Sequence, residues 1–156
     1  MENQGFFYEK DDKGEWIRVR VYGFDFSISL FEDKNKFDGL PEKNRYMWTT
    51  GMRHAFENRL SLPSKKEWEV VNIYKDKINK IISKHKGDLI HGVYWSADIT
   101  RKGSDKVWCY YCEGDGVILP HIGCDFLQIR FVNKPFIYNL NINAIIRPVG
   151  EYTTKK

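Results

Sequence analysis

Hydrophobic periodicity changes twice along this chain, and that order restricts the fold more than any other feature. From Glu15 to Tyr22 the pattern alternates, with Trp16, Arg18 and Arg20 on one face and Ile17, Val19 and Val21 on the other. A period of two belongs to a strand. After Gly23 the alternation resumes and puts Phe24, Phe26, Ile28 and Leu30 on one side. The turn-forming run Asp11-Asp12-Lys13-Gly14 predicts a hairpin between Phe6–Lys10 and Glu15–Tyr22. Glu32 to Asn44, containing Gly39 and Pro41, reads as a polar loop.

The period then lengthens. Trp48, Met52, Ala55 and Phe56 recur at steps of three and four, the spacing of one helical face. Leu62-Pro63 ends that segment. Ser64-Lys65-Lys66-Glu67 matches a capping box, in which the Ser hydroxyl accepts from the Glu67 N–H and the Glu carboxylate reaches back. Trp68 and Val71 begin the buried stripe of that helix. A further turn starts near Asp76, with Ile78, Ile81 and Ile82 as its apolar face and Gly87 as the predicted C-cap. Lys65-Lys66 and Lys75–Lys86 read as a solvated basic face. Strands return at Val93–Ala97, Val107–Cys112, Phe126–Val132 and Ala144–Val149, with Glu113-Gly114-Asp115-Gly116 as a turn. Strands, then helices, then strands indicate an α+β fold.

Composition narrows the function. A chain of 156 residues with 42% hydrophobic content is one domain, residues 1–156, and is not intrinsically disordered. The net charge of +4 is too small and too dispersed to indicate nucleic acid. No window approaches ~18 consecutive apolar residues, so membrane insertion is not expected. The first residues lack a basic region followed by an apolar core, which predicts cytoplasmic synthesis without a signal peptide. A virion component fits the same reading, because phage proteins leave the cell by lysis. Three cysteines, an odd number, indicate reduced thiols.

Several motifs resemble those of the Lcl-type C-terminal domain family, named for a collagen-like bacterial adhesin. They are Tyr46-Met47-Trp48-Thr49-Thr50-Gly51-Met52-Arg53-His54-Ala55, Leu62-Pro63-Ser64-Lys65-Lys66-Glu67-Trp68, Gly92-Val93-Tyr94-Trp95-Ser96-Ala97, Val107-Trp108-Cys109-Tyr110 and Ile145-Ile146-Arg147-Pro148-Val149. Their order matches the family over residues 44–149. The resemblance implies a C-type lectin-like fold, with two helices packed on a small twisted antiparallel sheet. It further implies that Arg147 and Pro148 lie on a strand near the one carrying Trp95. An N-terminal hairpin (about 5–31) and an insertion (about 113–143) are additions to this frame.

Four readings of chemistry follow. Trp95 and Trp108 suit a sugar-stacking platform, although Trp in alternating strands more commonly packs a core. Cys109, Cys112, His121 and Cys124 are soft ligands that could hold zinc or serve thiol chemistry. Against this, residues three apart in a strand point to opposite faces. Glu113 and Asp115 supply too few oxygens for calcium. His54, His85, His91 and His121 show no triad spacing. Taken with the resemblance, the expectation is a non-enzymatic module with no cofactor. It would bind a glycan or protein surface through Tyr110, Tyr111, Ile118, His121, Phe136, Tyr138 and Asn141, on loops of the C-terminal half. A homo-oligomer or a phage tail, fibre or capsid-decorating component is the expected setting. A structural assembly protein without free ligand is the alternative.

Overall fold

The computed structural model describes residues 7–10, 13, 16–21, 26–33 and 45–134. The expected strand Ala144–Val149, with its Arg147-Pro148 pair, lies outside them. Seven strands and three helices follow in the order β1 (Phe7–Lys10), β2 (Trp16–Arg20), β3 (Ser27–Ser29), α1 (Trp48–Glu57), α2 (Lys65–Ile73), α3 (Lys75–Lys84), β4 (Val93–Ile99), β5 (Lys106–Tyr111), β6 (Val117–Ile122) and β7 (Val132–Asn133). They form two small antiparallel sheets, ordered β1-β2-β3-β7 and β4-β5-β6. The α+β class expected from the periodicity is therefore present. The described residues form three helices and two sheets, where the resemblance implied two helices and a single sheet. Only Tyr74 separates α2 from α3, serving as C-cap of one and N-cap of the next.

The N-terminal alternation is read out directly. β1 pairs antiparallel with β2, as the hairpin expectation requires, and β2 pairs with β3. Val19, Val21, Phe26, Ile28 and Leu30 are buried. α2 starts on the expected capping box: the Glu67 N–H donates to Ser64 Oγ at 3.0 Å, and the Ser64 N–H donates to Glu67 Oε1 at 2.9 Å. Trp68 and Val71 of α2, and Ile78, Ile81 and Ile82 of α3, are buried as their spacing predicts.

Two helix details differ from expectation. Phe56 is 78% exposed rather than part of the buried face of α1. That face is narrow and centred on Gly51 and Ala55, where a Cβ on Gly51 would lie 2.8 Å from Ile129 Cγ2. Gly87 is not the left-handed cap of α3. Lys86, at φ 61°, takes that role, so that the Lys86 N–H reaches the Ser83 carbonyl and the Gly87 N–H reaches the Ile82 carbonyl. Gly87 is required for a different reason: a Cβ there would sit 2.4 Å from the Leu30 carbonyl oxygen.

The β4-β5-β6 sheet divides the interior. Tyr94, Tyr110 and Cys112 join Trp68, the α3 isoleucines and the β2–β3 residues in one cluster. Trp95, Val107 and Cys109 join Tyr46, Ala55, Leu62, Leu127 and Ile129 in the other. Alternation along β4 and β5 sends neighbouring residues to opposite cores.

The expected strand Phe126–Val132 is absent as a strand. Leu127 and Gln128 make isolated bridges to Tyr46 and Tyr94, and only Val132 enters β7. The reason is a buried polar junction that this segment completes. Arg130 is fully buried; its Nη1 pairs with Glu32 Oε2 at 2.7 Å, its Nε donates to the Ser29 carbonyl, and its Nη2 donates to the carbonyls of Leu30 and Asp88. The Tyr94 hydroxyl bonds the same Glu32 oxygen at 2.6 Å, and Gln128 Nε2 donates to Oε1 at 3.0 Å. Gln128 Oε1 in turn accepts from the Val93 N–H. Gly92, at φ 113°, passes so close that a Cβ would lie 1.9 Å from Gln128 Oε1. Burial pushes the Glu32 carboxyl above its ordinary range, against the opposing pull of Arg130. Burial and the Glu32 charge also push the Tyr94 hydroxyl up.

Candidate functional site

Three indoles fasten the middle of the chain together. Trp48 Nε1 donates to the Ser96 carbonyl at 2.9 Å, Trp68 Nε1 to the Trp95 carbonyl at 3.1 Å, and Trp95 Nε1 to the Tyr46 carbonyl at 2.6 Å. Each bond links two of the sequence motifs. Trp68 and Trp95 are fully buried. Trp95 is therefore a core residue, and its ring face is closed to a sugar.

Trp108 is different. It shares a face of β5 with Tyr110 and stays half-buried at the side of a groove of about 450 Å³ between α2 and β5–β6. Lys65, Glu69, Asn72 and Ile73 form the helical wall, and Gly116, Val117 and Ile118 form the strand wall. Lys65 Nζ lies 4.3 Å from the Trp108 ring centroid, a cation–π distance. The Lys65 backbone N–H is held by Asp98 Oδ2 at 2.7 Å. Ile73 and Val117 are exposed at the rim.

Asn72 fixes the far end. Its Oδ1 accepts from the Tyr110 hydroxyl at 2.6 Å, and its Nδ2 donates to the Asp115 carbonyl at 2.9 Å. The Lys75 ammonium donates to the carbonyls of Cys112 and Gly114. Together they clamp the Glu113–Gly116 turn, which forms as expected, with the Gly116 N–H bonded to the Glu113 carbonyl. Gly116, at φ 78°, leaves room for Asn72, whose Oδ1 would lie 2.0 Å from an added Cβ.

The expected contact residues separate into three groups. Tyr110 and Ile118 line the groove, yet the Tyr110 ring is buried and stacks on Trp68 with centroids 4.8 Å apart. Tyr111 and His121 lie on the opposite face, where the Tyr111 hydroxyl meets His121 Nδ1 at 2.9 Å and His121 Nε2 meets Asp125 Oδ2 at 2.7 Å. The His121 bond holds the Asp125 carboxyl below its usual range. Phe136, Tyr138 and Asn141 lie outside the described residues. Ile118 and His121 were expected on a loop; they belong to β6, which the sequence reading did not find. Trp108 is one of the two indoles weighed as a stacking platform, and it sits two residues from Tyr110 on the same face of β5. Lys65, Glu69 and Asn72, on α2, were not in the expected set.

The thiols do not converge. Cys109 and Cys112 are buried in opposite cores, with Cys109 Sγ toward the Val107 carbonyl and Cys112 Sγ toward the Ile90 carbonyl. Cys124 is exposed. Burial, and then the Asp125 charge, push the Cys109 thiol up to about 12. It stays protonated and weakly nucleophilic at neutral pH. Among the described residues, no group of three or more His, Cys, Asp or Glu side chains is placed to hold a metal ion. Among those residues, too, no helix is long and apolar enough to cross a membrane. No protein-family model matches this chain, and no curated protein matches it.

Proposed function

We propose that the chain is a non-enzymatic recognition module that takes a glycan or a protein surface into the groove between α2 and β6. The observation that carries this reading is the groove itself. It sets a half-buried indole and exposed aliphatic rims beside an ammonium, a carboxylate and an amide, all on rigid elements. Such a mixture of apolar area and a few fixed polar groups suits ligand recognition. Cys109 and Cys112 are buried in opposite cores, and the Cys109 thiol is pushed up to about 12, so these two thiols are held apart and protonated at neutral pH.

The C-type lectin-like fold is part of the same proposal. Its support is the resemblance of the motifs, together with the indole bonds that join three of those stretches. A place on a phage particle, as a tail, fibre or capsid-decorating component, rests on the resemblance alone. The exposed Ile73, Val117, Leu119 and Ile122 favour a second reading, an assembly protein whose apolar edge joins subunits.

A glycan and surface-protein array, followed by titration of the isotope-labelled chain with any hit, tests the binding reading. The Trp108 indole N–H signal is expected to move, while those of the buried Trp68 and Trp95 stay. An array without hits, or shifts confined to the Tyr111–His121 face, overturns it.

A further inference from the structure

The open edge of β6 carries an inference beyond ligand binding. Among the described residues, β6 is the last strand of its sheet. The Gly123 N–H donates to the Asp105 carbonyl, which fixes the phase of the β5–β6 ladder. In that phase His121, Leu119 and Val117 bond inward to β5, while Ile118, Pro120 and Ile122 turn their backbone groups outward. The Ile122 carbonyl already accepts from the Asp125 N–H, and Pro120 has no N–H. Ile118 alone offers both a donor and an acceptor along this edge.

The side chains of this edge are as informative as its backbone. Val117, Leu119 and Ile122 are exposed at 48%, 45% and 43%. The strand, Val-Ile-Leu-Pro-His-Ile, contains none of the Lys, Arg, Asp or Glu residues that keep edges apart. An uncharged apolar edge of this kind is a template for pairing.

We propose that β6 pairs antiparallel with β6 of a second copy, about a two-fold axis through Ile118, to make one six-stranded sheet. Outward residues centre such an axis on a hydrogen-bonded pair and inward ones on a non-hydrogen-bonded pair; an axis at inward Leu119 leaves the Ile118 carbonyl unmet, because Pro120 of the partner copy has no N–H to give it. An axis at Pro120 sets two carbonyls face to face at its centre, and its flanking pairs, Ile118 with Ile122 of the partner copy, call on the Ile122 carbonyl that the Asp125 N–H already engages. An axis at Ile122 meets a carbonyl already engaged. An axis at Ile118 gives two reciprocal N–H···O=C bonds and sets Val117 opposite Leu119 of the partner copy, twice, in the close non-hydrogen-bonded positions. Because the axis is perpendicular to the sheet, both α2 helices stand on the same face. The two grooves then open into one trough, and each copy supplies half of its walls. The dimer does not depend on what the trough holds.

Sedimentation of the purified chain across a concentration series, with reductant present to silence the exposed Cys124, tests this. The wild type is expected to move from monomer to dimer as concentration rises. Val117→Lys with Leu119→Lys places like charges opposite each other and is expected to abolish the dimer. Val117→Lys with Leu119→Glu places opposite charges across the axis and is expected to retain it at low salt. Val117→Thr with Leu119→Thr adds no charge, suits a strand and is expected to weaken the dimer; it covers the case in which lysines disturb the fold. A wild type that stays monomeric at every concentration overturns the proposal. So does a dimer that responds alike to the two charged variants.

Discussion

The junction around Arg130 and the groove beside Trp108 are built on opposite rules. In the junction, the side chains of Arg130, Glu32, Tyr94 and Gln128 and several backbone carbonyls are matched to one another inside the protein. In the groove, Trp108 presents its ring beside charged neighbours, and Ile73 and Val117 face solvent. A saturated buried network fixes one arrangement, because any member left alone loses its compensation. A half-open mixed surface costs the fold little when altered and retains interactions for a partner. On the proposed reading, stability and recognition are located in different parts of the described residues. Asn72 is one residue that belongs to both.

The sharpest way to break this contrast is at Arg130. Arg130→Ala leaves Glu32 buried without its cation, and about 3–5 kcal/mol of unfolding free energy is expected to be lost. Urea unfolding measures it; a loss within ~0.5 kcal/mol, as at an ordinary surface position, would show that the junction is ornamental. Asn72→Ala comes next. It strands the Tyr110 hydroxyl and unclamps the Glu113–Gly116 turn, so a loss of about 1–3 kcal/mol is expected together with weaker ligand binding. If binding survives while stability falls, Asn72 belongs to the scaffold alone.

Acid titration gives a smaller effect with a definite sign. Burial raises the Glu32 carboxyl in the folded chain, so the folded state holds that proton to higher pH than the unfolded state does. The contribution of Glu32 to stability therefore falls as pH rises from the ordinary carboxylate value through the raised one, and is level above it. Glu32→Gln lacks this slope. Its stability relative to wild type is expected to rise with pH across that window. A relative stability that falls there would mean that Arg130 outweighs burial.

What could be read from the sequence followed the range of the interaction. The capping box of Ser64 and Glu67 and the Ile78, Ile81, Ile82 stripe are local, and both are present. β6 escaped notice because Pro120 interrupts it and its exposed apolar residues do not alternate with polar ones. Pro is tolerated there because an edge strand can lack an outward N–H. The Arg130–Glu32 pair spans 98 residues, and nothing near either residue marks its partner. The site was partly legible. Trp108 and Tyr110 of β5 line the groove, but adjacent Tyr110 and Tyr111 point to opposite sides of the sheet, and only the register separates them. Trp95 and Trp108 look alike in sequence; pairing and burial make one a core residue and the other a groove residue.

The comparison is tested most directly by Trp108→Ala, assayed beside wild type for binding to array hits and for urea unfolding. The groove account predicts lost binding with no more than ~1 kcal/mol lost stability, because the ring is only half-buried. Undiminished binding, or destabilisation approaching that of Arg130→Ala, would contradict it.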